Sequence, residues 1–240
     1  MIEIIPSLAV LSNKVVRLHQ GKYETAVEYS ASPVDMANKF LDVGVEQIHL
    51  VDLDGAKQRE PVNLDILDTI SSHSSLKVNF AGGVLTDGAI NKVFEYGAKS
   101  VTAGGLPVEN SRLFVGWLMT FGRERIAMAA DALGGMIMTD AWRKNTMIKL
   151  EEHIEYFTSR GLKFVKVTDI SRDGTLEGPN FEMMEQLVQQ FPDAHLVNSG
   201  GVRSIEDIKR LEEIGVKGVV VGKALYEGLI KIEDLKEFAG

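Results

Sequence analysis

Residues 195–223 read HLVNSGGVRSIEDIKRLEEIGVKGVVVGK, and this stretch decides the fold. A short apolar run ends in Ser199-Gly200-Gly201. A helical pattern follows over Ser204–Ile214, then Gly215, and a second apolar run closes on Gly222-Lys223. Strand, glycine turn, helix and strand in this order predict two parallel strands joined by a right-handed crossover. Residues 77–105, KVNFAGGVLTDGAINKVFEYGAKSVTAGG, repeat the arrangement: Gly82-Gly83-Val84, Gly97 and Gly104 stand in the register of Gly200-Gly201-Val202, Gly215 and Gly222. Asp52, followed by Asp54-Gly55, likewise matches Asp169, followed after a slightly longer loop by Asp173-Gly174. Such self-similarity marks a duplicated unit.

The same alternation runs outward over the whole chain. Strand-like runs occupy Glu3–Val10, Gln47–Leu53, Lys77–Ala81, Ser100–Ala103, Arg125–Asp131, Lys163–Thr168, His195–Ser199 and Gly218–Val221. Helical patterns lie between most of them, among them Pro33–Val43, Asp87–Tyr96, Leu150–Arg160, Asn180–Gln190 and Ser204–Ile214. The first has Ser32 as N-cap and Pro33 at its first position. Eight strand–helix units in 240 residues predict an α/β fold, a (β/α)8 TIM barrel with half-barrel internal duplication, as one domain over 1–240.

Composition narrows the function. Acidic and basic residues are mixed along the chain at a net charge of −8, without the basic stripe of a nucleic-acid surface. The absence of cysteine excludes disulfides and thiolate chemistry. No apolar run is long enough to cross a membrane, and Met1–Pro6 lacks the basic and apolar regions of a signal peptide. These features predict a cytoplasmic monomer acting on a small molecule, without nucleic-acid or membrane partners. No residue cluster has metal-ligand spacing.

A strand that ends in Gly-Gly and opens a helix leaves backbone N–H groups to face an anion. Phosphate in barrels commonly sits at the turns after the seventh and eighth strands. The candidates here are Gly200, Gly201, Gly222 and Lys223, with Gly82, Gly83 and Gly104 as the matching set in the first half. The bland alternative is tight packing of a strand–helix turn.

Several motifs carry a family resemblance. They are His49-Leu50-Val51-Asp52-Leu53-Asp54-Gly55-Ala56-Lys57, Thr168-Asp169-Ile170-Ser171-Arg172-Asp173-Gly174-Thr175, Ser199-Gly200-Gly201-Val202 and Val221-Gly222-Lys223-Ala224-Leu225-Tyr226-Glu227-Gly228. Together they resemble the HisA family, the phosphoribosylformimino-AICAR ribotide isomerases of histidine biosynthesis, over nearly the whole chain. The resemblance implies a barrel enzyme, free of metal or organic cofactor, that converts an aminoaldose to an aminoketose in a substrate with two phosphates. It also implies catalytic roles for Asp131 on the fifth strand and Thr168 on the sixth.

The departures cluster at the same mouth. Ala9 stands in Pro6-Ser7-Leu8-Ala9-Val10 where the family has an aspartate, so one of two carboxylates is missing. General acid–base catalysis falls by about a hundredfold or more without such a group. In the first half, Leu85-Thr86 and Gly105-Leu106-Pro107 follow turns whose second-half counterparts lead into Arg203-Ser204 and Lys223-Ala224. The segment Ala127–Met138, the fifth strand and its loop, is unusually apolar, with Leu133, Met136 and Met138. It reads either as a loop packed on itself or as a pocket remodelled for an apolar ligand.

Lys166 completes the site list. Strand alternation sends it into the barrel with Thr168, one layer deeper, at a place where the family has an apolar residue. A desolvated lysine attacks carbonyls as a neutral amine and forms a Schiff base. Inward neighbours expected around it are Ser7, Ala9, Asn79, Ala81, Asp131 and Asn198. The alternatives are a lysine paired with Asp131 or one on an outward face. Arg17 is a candidate phosphate contact or a surface ion pair, His49 a core or rim histidine, and Asp52 and Asp169 turn braces.

Three functions remain open: a HisA-like isomerase working despite Ala9; a barrel repurposed by evolution or engineering as a Lys166-dependent, retro-aldolase-like enzyme on an apolar carbonyl; and a non-catalytic phosphate binder.

Overall fold

The computed structural model describes residues 1–238. Eight strands run parallel in the order β1 (Glu3–Leu11), β4 (Gln47–Asp52), β5 (Lys77–Ala81), β6 (Ser100–Ala103), β7 (Ile126–Leu133), β10 (Phe164–Asp169), β11 (His195–Ser199) and β12 (Gly218–Val221). The pairing of β12 with β1, Val221 opposite Pro6, closes the barrel. All eight coincide with the strand-like runs to within two residues at each end.

The strands alternate between two apolar environments. Val165 and Val167 on β10, and Leu8 and Val10 on β1, are fully buried outside the barrel against the helices. Ile5, Val197 and Val220 form a separate small cluster that fills the lumen below the mouth. Since Val197 pairs with Lys166 in register, both face inward, and Asn198 faces the other way. The expectation that Asn198 lines the lumen is therefore corrected, because its strand enters one residue out of the assumed phase.

The helices take the ends that their sequences encode. In α1 (Pro33–Asp42) the Ser32 side chain accepts from Asp35 N, a cap worth about 1 kcal/mol. Met36, Ala37 and Phe40 form its buried face. The helix Ile205–Ile214 is capped by Ser204 and stops at left-handed Gly215. The helices Leu64–His73, Asp87–Glu95 and Ser111–Thr120 complete the outer ring of the first half.

Two hairpins interrupt the alternation, each after the first barrel strand of a half: β2 (Lys14–His19) with β3 (Lys22–Glu28), and β8 (Met136–Thr139) with β9 (Lys144–Lys149). Their matching places extend the duplication into the structure. So do the braces: Asp52 accepts from Asn63 Nδ2 at 2.6 Å and Asp169 from Asn180 Nδ2 at 2.7 Å, each across a separation of 11 residues. The apolar segment Ala127–Met138 is neither a self-packed loop nor wholly covered. It is β7 from its second residue onward, the turn after it and the start of β8, in a hairpin that leaves Leu133 and Met147 exposed, buries Ile137 and turns Met138 to the mouth.

Candidate active site

The carboxyl ends of the strands surround a cavity of about 290 Å³. Small side chains make the space: Ser7, Ala9, Ala81, Ala103 and Ala129 all line it. Every glycine expected at a phosphate turn (Gly82, Gly83, Gly104, Gly200, Gly201 and Gly222) reaches this cavity, as does Lys223.

Lys166 enters the lumen as alternation requires. Its Nζ donates to Asp131 Oδ1 at 3.1 Å and to Thr168 Oγ1 at 2.8 Å, with 13% and 14% of the lysine and aspartate side chains exposed. The structure thus realises the paired alternative. The parallel register that sets Lys166 beside Ala129 and Thr168 beside Asp131 brings the three groups together. The second oxygen of Asp131 accepts from Trp142 Nε1 at 2.8 Å. Burial pushes the Asp131 carboxyl up, but the Lys166 charge and the hydrogen bonds around it outweigh burial and hold it below the usual carboxylate range.

Trp142 reaches this position from an unusual turn. Asp140, Ala141 and Trp142 all have positive φ, a region that costs non-glycine residues energy. The indole lies against Gly21 of the β2–β3 turn, where a Cβ would collide with it. The two hairpins therefore meet over the Lys166–Asp131 pair.

Opposite the pair, no carboxylate stands at Ala9. The adjacent Ser7 accepts hydrogen bonds from Arg17, at its Oγ (3.1 Å) and at its carbonyl oxygen, which also accepts from Tyr226 at 2.9 Å. The Arg17 guanidinium stacks on Tyr226 and leaves its buried Nε without a partner. A Cβ on Gly222 would stand 3.0 Å from Arg17 Cζ, so glycine there makes room for the cation. Arg17, of divided reading in the sequence, is placed at the second-half turn together with Lys223, whose Nζ donates to Gly174 O at 2.8 Å.

The glycine pairs also have a packing cause. Gly82 and Gly200 take positive φ, and Gly83 and Gly201 sit so close to the preceding loops that a Cβ would strike Glu60 and Gly178. In the first half, Arg59 lines the mouth but is held by Glu109 through two hydrogen bonds of 3.0 and 2.6 Å. The two ends of the mouth thus differ: Leu85 and a neutralised cation on one side, Arg17 and Lys223 on the other.

Two site residues escaped the sequence reading of function. Asp173 lines the cavity, and burial pushes its carboxyl up, opposed by the charges of Lys166 and Arg17. Its signal was the correspondence of Asp173-Gly174 with Asp54-Gly55. His49 lines the cavity floor at 5% exposure, with Nδ1 2.7 Å from Asn79 Oδ1. Asp52 and Asp169 lie outside the cavity and organise the turns beside it. Among the described residues, no group of three or more His, Asp or Glu is arranged to hold a metal ion, and no helix is long and apolar enough to cross a membrane.

Residues 3–231 match the family described as "Histidine biosynthesis protein". Three relatives share the name 1-(5-phosphoribosyl)-5-((5-phosphoribosylamino)methylideneamino) imidazole-4-carboxamide isomerase. That of Phocaeicola vulgatus is 43% identical over 238 residues, covering 99% of this chain and 100% of the relative. That of Bacteroides thetaiotaomicron is 41% identical with the same coverage. That of Cytophaga hutchinsonii is 39% identical, covering 99% of each.

Proposed function

This chain belongs to the histidine biosynthesis protein family, and from that premise we propose that its mouth has exchanged proton transfer between two carboxylates for amine chemistry at a carbonyl carbon. The observation that carries this reading is the Lys166 amine, set in the lumen 3.1 Å from Asp131, while Ala9 supplies no second carboxylate.

The steps follow from the pair. Asp131 takes a proton from Lys166, and the free amine attacks the carbonyl carbon of an apolar aldol. Asp131 returns that proton to the carbinolamine oxygen and relays a second one from the lysine nitrogen, so that the oxygen leaves as water and an iminium forms. For a β-hydroxy carbonyl compound, Asp131 then takes the hydroxyl proton as the carbon–carbon bond breaks. The bond's electron pair passes into the iminium, giving an enamine and a free aldehyde. Proton return to carbon and addition of water release the ketone. Small residues around Lys166, with Met138 and Trp142 above, form the apolar walls such a substrate needs.

The test is borohydride reduction in the presence of 4-hydroxy-4-phenylbutan-2-one, followed by peptide mapping. The expected adduct is on Lys166, and Lys166→Met abolishes both adduct and cleavage. Cleavage undiminished in Lys166→Met overturns the reading.

A specific observation favours a second reading, the isomerisation named for the relatives. Asp173, whose carboxyl burial pushes up, lines the same cavity as Asp131, and Arg17 with Lys223 marks an anion end. On this reading Ala9→Asp increases turnover of the bisphosphorylated aminoaldose by about a hundredfold or more. No turnover after that restoration sinks it. Calorimetric binding of the same compound without turnover in either chain leaves a phosphate-ester binder.

A further inference from the structure

His49 belongs to a buried polar group that the steps above do not use. Asn79 Oδ1 accepts from Thr102 Oγ1 at 2.8 Å and lies 2.7 Å from His49 Nδ1, while Asn79 Nδ2 donates to Ser100 Oγ at 2.8 Å. An oxygen that already serves as an acceptor assigns the imidazole hydrogen to Nδ1. Nε2 is then a lone-pair acceptor. It has no protein partner among the described residues, yet it is not sealed off, since the 5%-exposed ring lines the mouth cavity. Burial, then the Lys166 charge, lowers the His49 pKa to about 3, against the Asn79 hydrogen bond and Asp131, with Arg17 adding to the lowering. The ring therefore stays a neutral acceptor at working pH and is a poor proton-taker.

A neutral acceptor within the field of Lys166 and Asp131, in a cavity whose walls include Ala9, Ala81, Ala103 and Ala129, suits a water molecule. Water needs two polar partners here, one for each hydrogen. Asp131 takes one proton when water adds to the iminium; the other hydrogen needs an acceptor that does not remove it.

We propose that His49 Nε2 is a positioning residue that holds the water released and re-added at the Lys166 iminium carbon. Resting on the amine reading, this assignment makes Asn79 and Thr102 the groups that fix the ring's tautomer. Formation and hydrolysis share one transition state, so losing this contact slows both directions and leaves the amount of iminium at equilibrium the same.

The experiment incubates the parent chain, His49→Phe and His49→Gln with 4-phenylbutan-2-one in oxygen-18 water. It measures label entering the ketone carbonyl, and the fraction of Lys166 trapped by borohydride at equilibrium. His49→Phe is expected to slow exchange by about tenfold or more at an equal trapped fraction. His49→Gln, which offers a neutral carbonyl acceptor, recovers part of the rate. Equal exchange in the parent and His49→Phe, with Lys166 trapped in both, overturns the His49 assignment and leaves the amine reading standing. Absence of any Lys166 adduct in the parent overturns both. Slowed exchange with a matching loss of trapped Lys166 assigns His49 to packing and also overturns the proposal.

Discussion

Replacing Asp52 by alanine tests whether the mouth's first half is held by one buried carboxylate. Asp52 is fully buried, and its oxygens accept from Gly55 N (2.8 Å), Val62 N (2.6 Å), Asn63 N (2.9 Å) and Asn63 Nδ2 (2.6 Å). The Asn63 amide keeps Asp54 Oδ2 at 2.9 Å, and the part-buried Val62 N lies nearer to water. Two buried backbone donors, at Gly55 and Asn63, are stranded, at about 1–3 kcal/mol each. With the lost charge-assisted bonds the expected destabilisation is about 4 kcal/mol, a large share of an ordinary domain's 5–15 kcal/mol. Asp169→Ala is the internal control. Its partners are Ser171 and Asn180, its bonds to Ser171 are exposed, and its loss is expected to cost about 1 kcal/mol. Urea unfolding followed by the fluorescence of Trp117 and Trp142 reads both variants. An Asp52→Ala loss below about 1 kcal/mol, or one equal to that of Asp169→Ala, refutes the reasoning.

Two further outcomes follow from the same geometry. His153 is buried with Nε2 unpartnered, and burial lowers its pKa to about 4. Below the ordinary value of 6.5 the unfolded chain binds a proton that the folded chain refuses, so stability falls as pH drops from 6.5 toward 4, by up to about 3 kcal/mol. His153→Leu is expected to remove that part of the acid sensitivity in urea midpoints at pH 7.5 and 4.5; an unchanged difference between the two pH values counts against the burial argument. Gly222→Ala places a methyl 3.0 Å from the Arg17 guanidinium carbon. Inorganic phosphate is expected to bind this variant at least about tenfold more weakly by calorimetry, the equivalent of one lost charge-assisted bond. Equal affinity removes Arg17 from the anion end.

The strands were legible because they are local. Val165 and Val167 flank Lys166 in an alternating pattern, and paired glycines punctuate each half, so period and turn chemistry mark the elements before any contact is known. Lys166 in the lumen was legible on the same ground. The two hairpins were not. Lys14–Glu28 carries mixed polar residues and no barrel-like apolar run, and Ala127–Met138 is apolar enough to suit a covered loop. A one-residue shift in phase was enough to misplace Asn198, because neighbouring strand positions face opposite sides.

By itself, the sequence determined the eight-strand barrel, its duplicated halves and the glycine turns at one end. Each is a matter of short-range periodicity or of residue identity at a place in a repeat. Only the tertiary structure decided that Lys166 pairs with Asp131 rather than standing free, that Trp142 covers the pair, that Arg17 reaches Gly222, and that His49 Nδ1 lies against Asn79 Oδ1. These contacts join residues from different strands and hairpins, and their distances depend on interstrand register and barrel closure, which no local pattern encodes.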